Sequence, residues 1–463
     1  MAQATVGYEA LDAPELRGFR VRLTFLSAAG MFLDGYDLTV IAVALPLLTK
    51  QFAISAALQG LVGSSAVIGM LVGSLFLGRL TDRIGRRTMY LFDLLTFVVF
   101  AVLAAASQNV GELIAFRFLL GLGIGADYPI SSTLLTEFSP PGQRGRLVTV
   151  LGATWFVGAV VAYLLAIAFL PLGGGAWRLM LLMGALFAVV ILALRRQIPE
   201  SPRWLNSRGR GREATQIVQQ LTRRDVQLAS AAHPTSRHWL ELFSKNLWRA
   251  TVFGCGFWFA YDVAFYGISI FTPTLLTPFT HGSSLKASVG AAIVSVLGLI
   301  GAGIGLVLVD RWGRRPLIIT AFAGLTVSLV ALALFPSPAF VALVVLFAAA
   351  ELFANMGPGV LDFVYLTELF PTSLRASGTG LGTAVSRVGA ILGIVLFPNL
   401  VKDWGLGRAL WLFVAAGLLG LVVSVLLAPE TKNVNLEDIS GDTGSAVAVV
   451  PSGAVPQGSG AGL

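Results

Sequence analysis

Charge is scarce in this sequence, and so are the residues that usually build catalytic or metal centres. Of 463 residues only 12% are charged and 56% are hydrophobic, about half the charged share of a soluble domain. A soluble fold would have to bury roughly a dozen helices with almost no polar faces, so water is not the solvent of this chain. The single cysteine, Cys255, excludes a disulfide framework and a thiolate metal site. His233, His238 and His281 have no ligand spacing, and no nucleophile–base set is visible. An enzyme is therefore not expected, and no cofactor or metal is called for. The alternating pattern of a transmembrane barrel is also missing, which leaves helices as the way to satisfy the backbone in lipid.

Long apolar runs are what the sequence has instead. A hydrocarbon core of about 30 Å takes about 20 helical residues. Runs of that length lie near 22–48, 57–78, 88–106, 111–136, 147–170 and 177–197, then near 248–277, 287–309, 316–335, 339–368, 376–400 and 408–428. The predicted architecture is an all-α membrane protein of 12 transmembrane helices in two six-helix halves, 22–198 and 248–428. A short segment, 1–21, precedes them. An arginine-rich stretch, 199–247, joins them and is suited to surface or amphipathic helices. A Gly/Ser/Ala tail, 429–463, has no periodicity and reads as disordered. The first span is too long, and too acidic at its centre, for a cleaved signal.

The net charge of +8 follows topology rather than a nucleic-acid surface. Arginines crowd the N-terminus (Arg17, Arg20, Arg22), the second loop (Arg79, Arg83, Arg86, Arg87), the central stretch and the eighth loop (Arg311, Arg314, Arg315). The alternate loops hold only Lys50, Arg178, Lys286, Lys402 and Arg408. Positive charge stays inside, so both termini and the central stretch are expected in the cytoplasm, with the chain a multi-pass protein of a cell membrane.

The two halves repeat one another. GRLTDRIGRR around Asp82 returns as VLVDRWGRR around Asp310. TEFSPPGQR (Glu137, Pro140, Arg144) returns as TELFPTSLR (Glu368, Pro371, Arg375), and PESPRWL (Glu200) as PETK (Glu430). The interval is 228 to 231 positions each time. Halves repeated in the same orientation place a binding site between them near the midplane, as in carriers that work by alternating access. Asp82, Arg83, Arg86, Glu137 and Arg144, with Asp310, Arg311, Arg314, Glu368 and Arg375, offer ion pairs that would latch one face in one state. Gly121, Gly123 and Gly125 of the fourth span follow no strand. They read as small residues for close helix packing, not as a dinucleotide loop.

These motifs resemble those of the major facilitator superfamily over the whole chain to about residue 436, and the PES and PET signatures point to its branch of sugar, phosphate and organic-ion carriers. GIGADYPISSTLLTEF and WFAYDVAFYG are similar to the fourth and seventh helices of the phosphate:proton symporters. That resemblance implies proton carriers at Asp34 and Asp127. It implies substrate contacts at Tyr128, Trp258, Asp262, Tyr266 and Asn355, with Arg387 where that family carries a lysine. The likeness is incomplete: the fifth span lacks the expected glutamine, and Gly-Val-Leu-Asp follows Gly357-Pro358 in place of a hydroxyl-rich run.

Acids at bilayer depth are costly, roughly 2.5–3.5 kcal/mol for an aspartate at a helix centre. Asp34 and Asp127 have no arginine within a turn of their own helices, which suits proton binding. Asp93, near the arginine-rich end of its span, reads as structural. Glu351 and Asp362 fit cavity lining and helix contact equally. Trp258, Asp262 and Tyr266 are four residues apart and share one helix face. Asp262 must be protonated to admit an anion, but accepts hydroxyl hydrogen bonds from a neutral polyol while charged. The first expectation is a monomeric proton-coupled importer of phosphate or a small organic anion, with lipid, protons and one small solute as partners. The alternatives are a proton-coupled symporter of a neutral sugar or polyol, a drug/proton antiporter and a non-transporting nutrient receptor. Arg117 and Arg387 are the basic residues mapped to bilayer depth, and if both pair with acids the neutral-solute alternative gains.

Overall fold

Apolar runs without surrounding water satisfy their backbone by coiling on themselves, and a computed structural model shows the chain almost entirely helical. The described residues are 5–6, 14–138, 144–224, 226–228, 239–335, 339–370 and 374–432. The first six long helices are α1 (Arg17–Phe52), α2 (Ala56–Ile84), α3 (Arg86–Ala106), α4 (Val110–Glu137), α5 (Arg144–Phe169) and α6 (Ala176–Arg195). Two short helices follow in the central stretch, α7 (Pro202–Ser207) and α8 (Gly211–Thr222). The rest are α9 (Trp248–Ser269), α10 (Thr272–Leu276), α11 (Ser284–Trp312), α12 (Arg314–Leu334), α13 (Phe340–Met356), α14 (Pro358–Leu369), α15 (Arg375–Trp404) and α16 (Leu406–Leu427).

Ten of these helices are long and apolar enough to cross a membrane, or eleven when one bent pair counts as a span, among the described residues. The 28-residue α4 holds the remaining place in the order. Side-chain caps set several starts. Ser55 accepts from Leu58 N, and Ser283 from Lys286 N. Asn109 accepts from Glu112 N while Glu112 reaches back to Gln108 N, so orphan amide groups at the start of α4 are satisfied from both sides.

Two expected spans are broken. The seventh bends by 49° between α9 and the Thr272–Thr280 segment. The tenth stops at Met356 and restarts at Pro358, whose ring suits the first position of a helix. Both breaks lie beside the cavities described below.

The packing repeats as the sequence does. Helices α1 and α5, α2 and α4, and α3 and α6 pair in the first half. Their counterparts α9 and α15, α11 and α13, and α12 and α16 pair in the second. The halves meet where α2 lies on α15 and α5 on α11. The glycine-packing expectation holds. A Cβ at Gly121 would stand 2.0 Å from the Ala66 carbonyl oxygen, and one at Gly125 2.4 Å from that of Met70. In the central stretch Trp204 and Leu205 of α7 pack on Ala214 of α8 in a small core of their own.

Candidate functional site

The repeat shows first at the arginine-rich end. Gly85 and Gly313 link α2 to α3 and α11 to α12 with φ of 115° and 95°, backbone that glycine adopts freely. Glu200 accepts the amides of Arg86 and Arg87; Glu430 accepts those of Arg314 and Arg315. Each carboxylate thus caps a helix start carrying positive partial charge. Arg314 also pairs with Glu368 of α14 at 3.0 Å and with Asp310 at 3.6 Å. These contacts lie within the second half, between α11, α12 and α14. Arg83 and Arg311 are exposed. The side chains of Asp82, Glu137, Arg144 and Arg375 lie outside the described residues.

Deeper in the first half, three acids meet two buried arginines. Asp37 of α1 pairs with Arg117 of α4 at 3.1 Å. Asp127 of α4 pairs with Arg195 of α6 at 3.0 Å, and Asp93 of α3 stands 3.8 Å from the same guanidinium. Arg195 stacks over the Tyr90 ring at 3.6 Å and donates to the Leu26 carbonyl. Gly30 of α1 makes room for the pair: a Cβ there would fall 2.0 Å from an Asp127 oxygen. Arg195 adds to the sequence map, which counted only Arg117 and Arg387 at depth: the last residue of α6 is drawn into the bundle. It is fully buried, whereas its neighbour Arg196 is exposed. Asp127 therefore has a cation beside it, supplied by another helix. Asp34 is buried one turn from Gly30, and the side chain of Tyr128 lies outside the described residues.

Between the halves lie two cavities. The smaller, about 370 Å³ counting the open space at its mouth, is lined by Trp258, Tyr261, Asp262, Tyr266, Asp362 and Arg387 with Trp155 and Phe156 opposite. The Asp262 carboxylate is 3.5 Å from Arg387, which also donates to the Tyr266 hydroxyl at 3.0 Å. Trp258 and Ser386 are its other polar neighbours. The structure thus brings together Trp258, Asp262, Tyr266 and Arg387 of the expected set. The larger cavity, about 460 Å³ counted in the same way, is lined by Thr39, Tyr163, Ser269, Thr272, Ser295 and Glu351.

One aromatic layer borders both cavities: Trp155 and Phe156 of α5 against Phe265 and Tyr266 of α9. Trp155 meets Phe265 edge-on at 5.6 Å and Tyr266 at 6.3 Å. Such edge contacts suit ring quadrupoles, and here they cross from one half to the other. Asn355, expected against substrate, braces the layer's flank. Its amide donates to Glu351 at 2.9 Å and its carbonyl accepts from the Tyr261 hydroxyl at 2.9 Å. Glu351 is now placed on the larger cavity and Asp362 on the smaller. Trp155, Tyr261, Phe265 and Ser269 were missed. The Thr154-Trp155-Phe156 run in mid-span was the signal for the first-half side of the layer.

Two bundled halves with polar cavities between them define a membrane carrier of the major facilitator fold. The profile of the "Sugar (and other) transporter" family matches residues 23–442, and the chain belongs to that family, the sugar-porter branch of the superfamily. Among curated relatives, the inner membrane metabolite transport protein YgcS of Escherichia coli K12 is 35% identical, covering 91% of this chain and 94% of its own. The putative metabolite transport protein YaaU of the same strain is 33% identical, covering 91% and 95%. The xylose transporter XylE of E. coli, solved in a partially occluded inward-open conformation, superposes with a TM-score of 0.75 at 22% identity, covering 90% of this chain and 100% of that one. The fold is theirs, and the family is one of multi-pass membrane transporters.

Proposed function

We propose that this chain is a proton-coupled symporter that brings a small hydrophilic solute across a bacterial cytoplasmic membrane by alternating access, and that the solute is neutral and hydroxylated. One observation carries the choice of solute: Arg117 and Arg387 are both held by acids, Asp37 and Asp262. The walls then present hydroxyls, indoles and carboxylates, which accept and donate hydrogen bonds to an alcohol. The structural neighbour XylE is described as a proton:xylose symporter, which agrees with this choice at the level of fold. In this reading the chain works as a monomer with both termini and the 199–247 stretch in the cytoplasm. Asp34 and the Asp93–Asp127 pair bind protons in the first half. Arg314, Glu368 and Asp310 form part of a latch that opens as the halves rock.

A second reading is favoured by the length of the Asp262–Arg387 contact, 3.5 Å against 3.1 Å for Asp37–Arg117 and 3.0 Å for Asp127–Arg195. Protonating Asp262 would hand Arg387 to phosphate or a small carboxylate, the anion importer expected from the fourth- and seventh-helix motifs.

Purified protein in proteoliposomes tests both, with a pH electrode following protons as D-xylose, mannitol, phosphate or benzoate is added. Proton uptake on adding a neutral solute, abolished in Asp262→Asn, is the expected result. Proton uptake with phosphate or benzoate alone would replace the neutral solute by an anion and leave the transporter standing.

A further inference from the structure

Five of the buried acids in this bundle are handled in two ways. Asp37, Asp93, Asp127 and Asp262 each lie within 3.8 Å of a buried arginine. Glu351 does not. It is buried in α13, and its partners are neutral: the Ser269 hydroxyl of α9 and the Asn355 amide one turn along its own helix. Among the described residues it forms no ion pair, and no lysine or arginine acts on it electrostatically. The titratable groups that face it are phenols, Tyr163 of α5 and Tyr261 of α9. From α11, Gly298 approaches it and Ser295 shares its cavity. A carboxylate held among helices by neutral donors alone keeps an uncompensated charge, whereas the acid form does not.

We propose that Glu351 is a second proton-binding group of the transport cycle, facing the larger cavity, and that Asn355 and Tyr261 carry its state to the solute cavity. The proposal rests on the reading of the chain as proton-coupled. The step is a simple protonation: water in the larger cavity delivers the proton to a Glu351 carboxylate oxygen and later takes it back. Asn355 donates to that carboxylate and accepts from Tyr261, and Tyr261 stacks on Phe265 of the aromatic layer at 5.1 Å. Protonation removes the charge that holds the Asn355 amide. Asn355 sits in the last turn of α13, directly before the Gly357-Pro358 break. The connection therefore runs from proton to helix break and to the wall of the solute cavity, and this is the kind of bistable joint a carrier needs.

Infrared difference spectroscopy of the full-length protein between neutral and acidic pH tests this without knowledge of the solute. In wild type a slowly exchanging carboxylic-acid carbonyl band is expected on acidification. Glu351→Gln should remove one carboxyl from that band, and Glu351→Asp should move it without removing it. Tyr261→Phe should shift it, as the relay requires. A full wild-type band in Glu351→Gln would overturn the proposal. Should that variant fail to fold, an unmoved band in Glu351→Asp would do the same. Asp127→Asn reads the first-half proton site separately. A band lost there and unchanged in Glu351→Gln would keep proton coupling and remove Glu351 from it.

Discussion

The two halves of this transporter repeat in sequence and in packing, yet they treat buried charge differently. In the first half Arg117 and Arg195 hold Asp37, Asp93 and Asp127, with contacts of 3.0 to 3.8 Å. In the second half Glu351 is held by a hydroxyl and an amide, and Asp262 by one arginine at 3.5 Å. The second half also carries both helix breaks, after Ser269 and at Gly357. Repetition sets the scaffold. The deviations from it mark where the solute and a moving proton are handled.

The comparison breaks most forcefully at Arg195. Removing it leaves Asp127 and Asp93 buried beside Tyr90 without their cation, and breaking a buried pair this way costs roughly 3–5 kcal/mol. Arg195→Leu should lose much of its thermal stability in detergent. The double variant Arg195→Leu/Asp127→Asn should recover part of it, because the second change discards the stranded charge. Equal losses in single and double variants would show that packing on Tyr90, not charge, is what Arg195 supplies.

Next in size are the glycines that link the repeated helices. Gly85 and Gly313 hold backbone that is nearly restricted to glycine, and side chains there cost of order 1–3 kcal/mol. A Cβ would also stand 2.5 Å from Glu200 Oε2 and 2.6 Å from Glu430 Oε2. Gly85→Ala and Gly313→Ala should therefore lower the melting temperature by similar amounts, since the geometry is the same. A large loss in only one would mean that the halves differ at this end as well.

Glu351→Gln should change stability less, by about 1 kcal/mol or under, because amide and carboxyl keep much the same neutral partners. Its effect belongs to coupling. Exchange of labelled solute for unlabelled solute should persist, while accumulation driven by a proton gradient is lost. Accumulation at the wild-type rate would place the coupling proton wholly in the first half.

Much of this was legible in the sequence. Apolar runs and the repeat fixed the two helical halves, because in lipid a helix must satisfy its own backbone and length alone marks it. Trp258, Asp262 and Tyr266 were legible as one face because helical spacing determines neighbours within a helix. Arg195 was not. Side by side with Arg196 at the end of a span it looks like a loop arginine, and only α3 packing on α6, with Asp127 of α4 meeting the Arg195 guanidinium, separates the two. Glu351 had the opposite problem: its depth was plain, as was Asn355 one turn along, but its other partner, Ser269, lies on another helix. The same limit hid Trp155 against Phe265, a contact between segments more than a hundred residues apart.

The smallest expected effect sharpens the comparison at the arginine-rich end. Glu430 lies outside the spanning helices, where partial burial works against its charge, but the amides of Arg314, Lys432 and Arg315 outweigh this and hold its carboxyl below the usual glutamate range. A group lowered on folding stabilises above its unfolded value, near 4.3. That contribution disappears as pH falls through the folded value. Thermal stability followed from neutral pH downward should therefore show a wild-type advantage over Glu430→Gln that narrows only below the unfolded value. Exposure keeps the effect small. An advantage that is constant with pH would mean that the cap acts through shape alone, which a glutamine could supply.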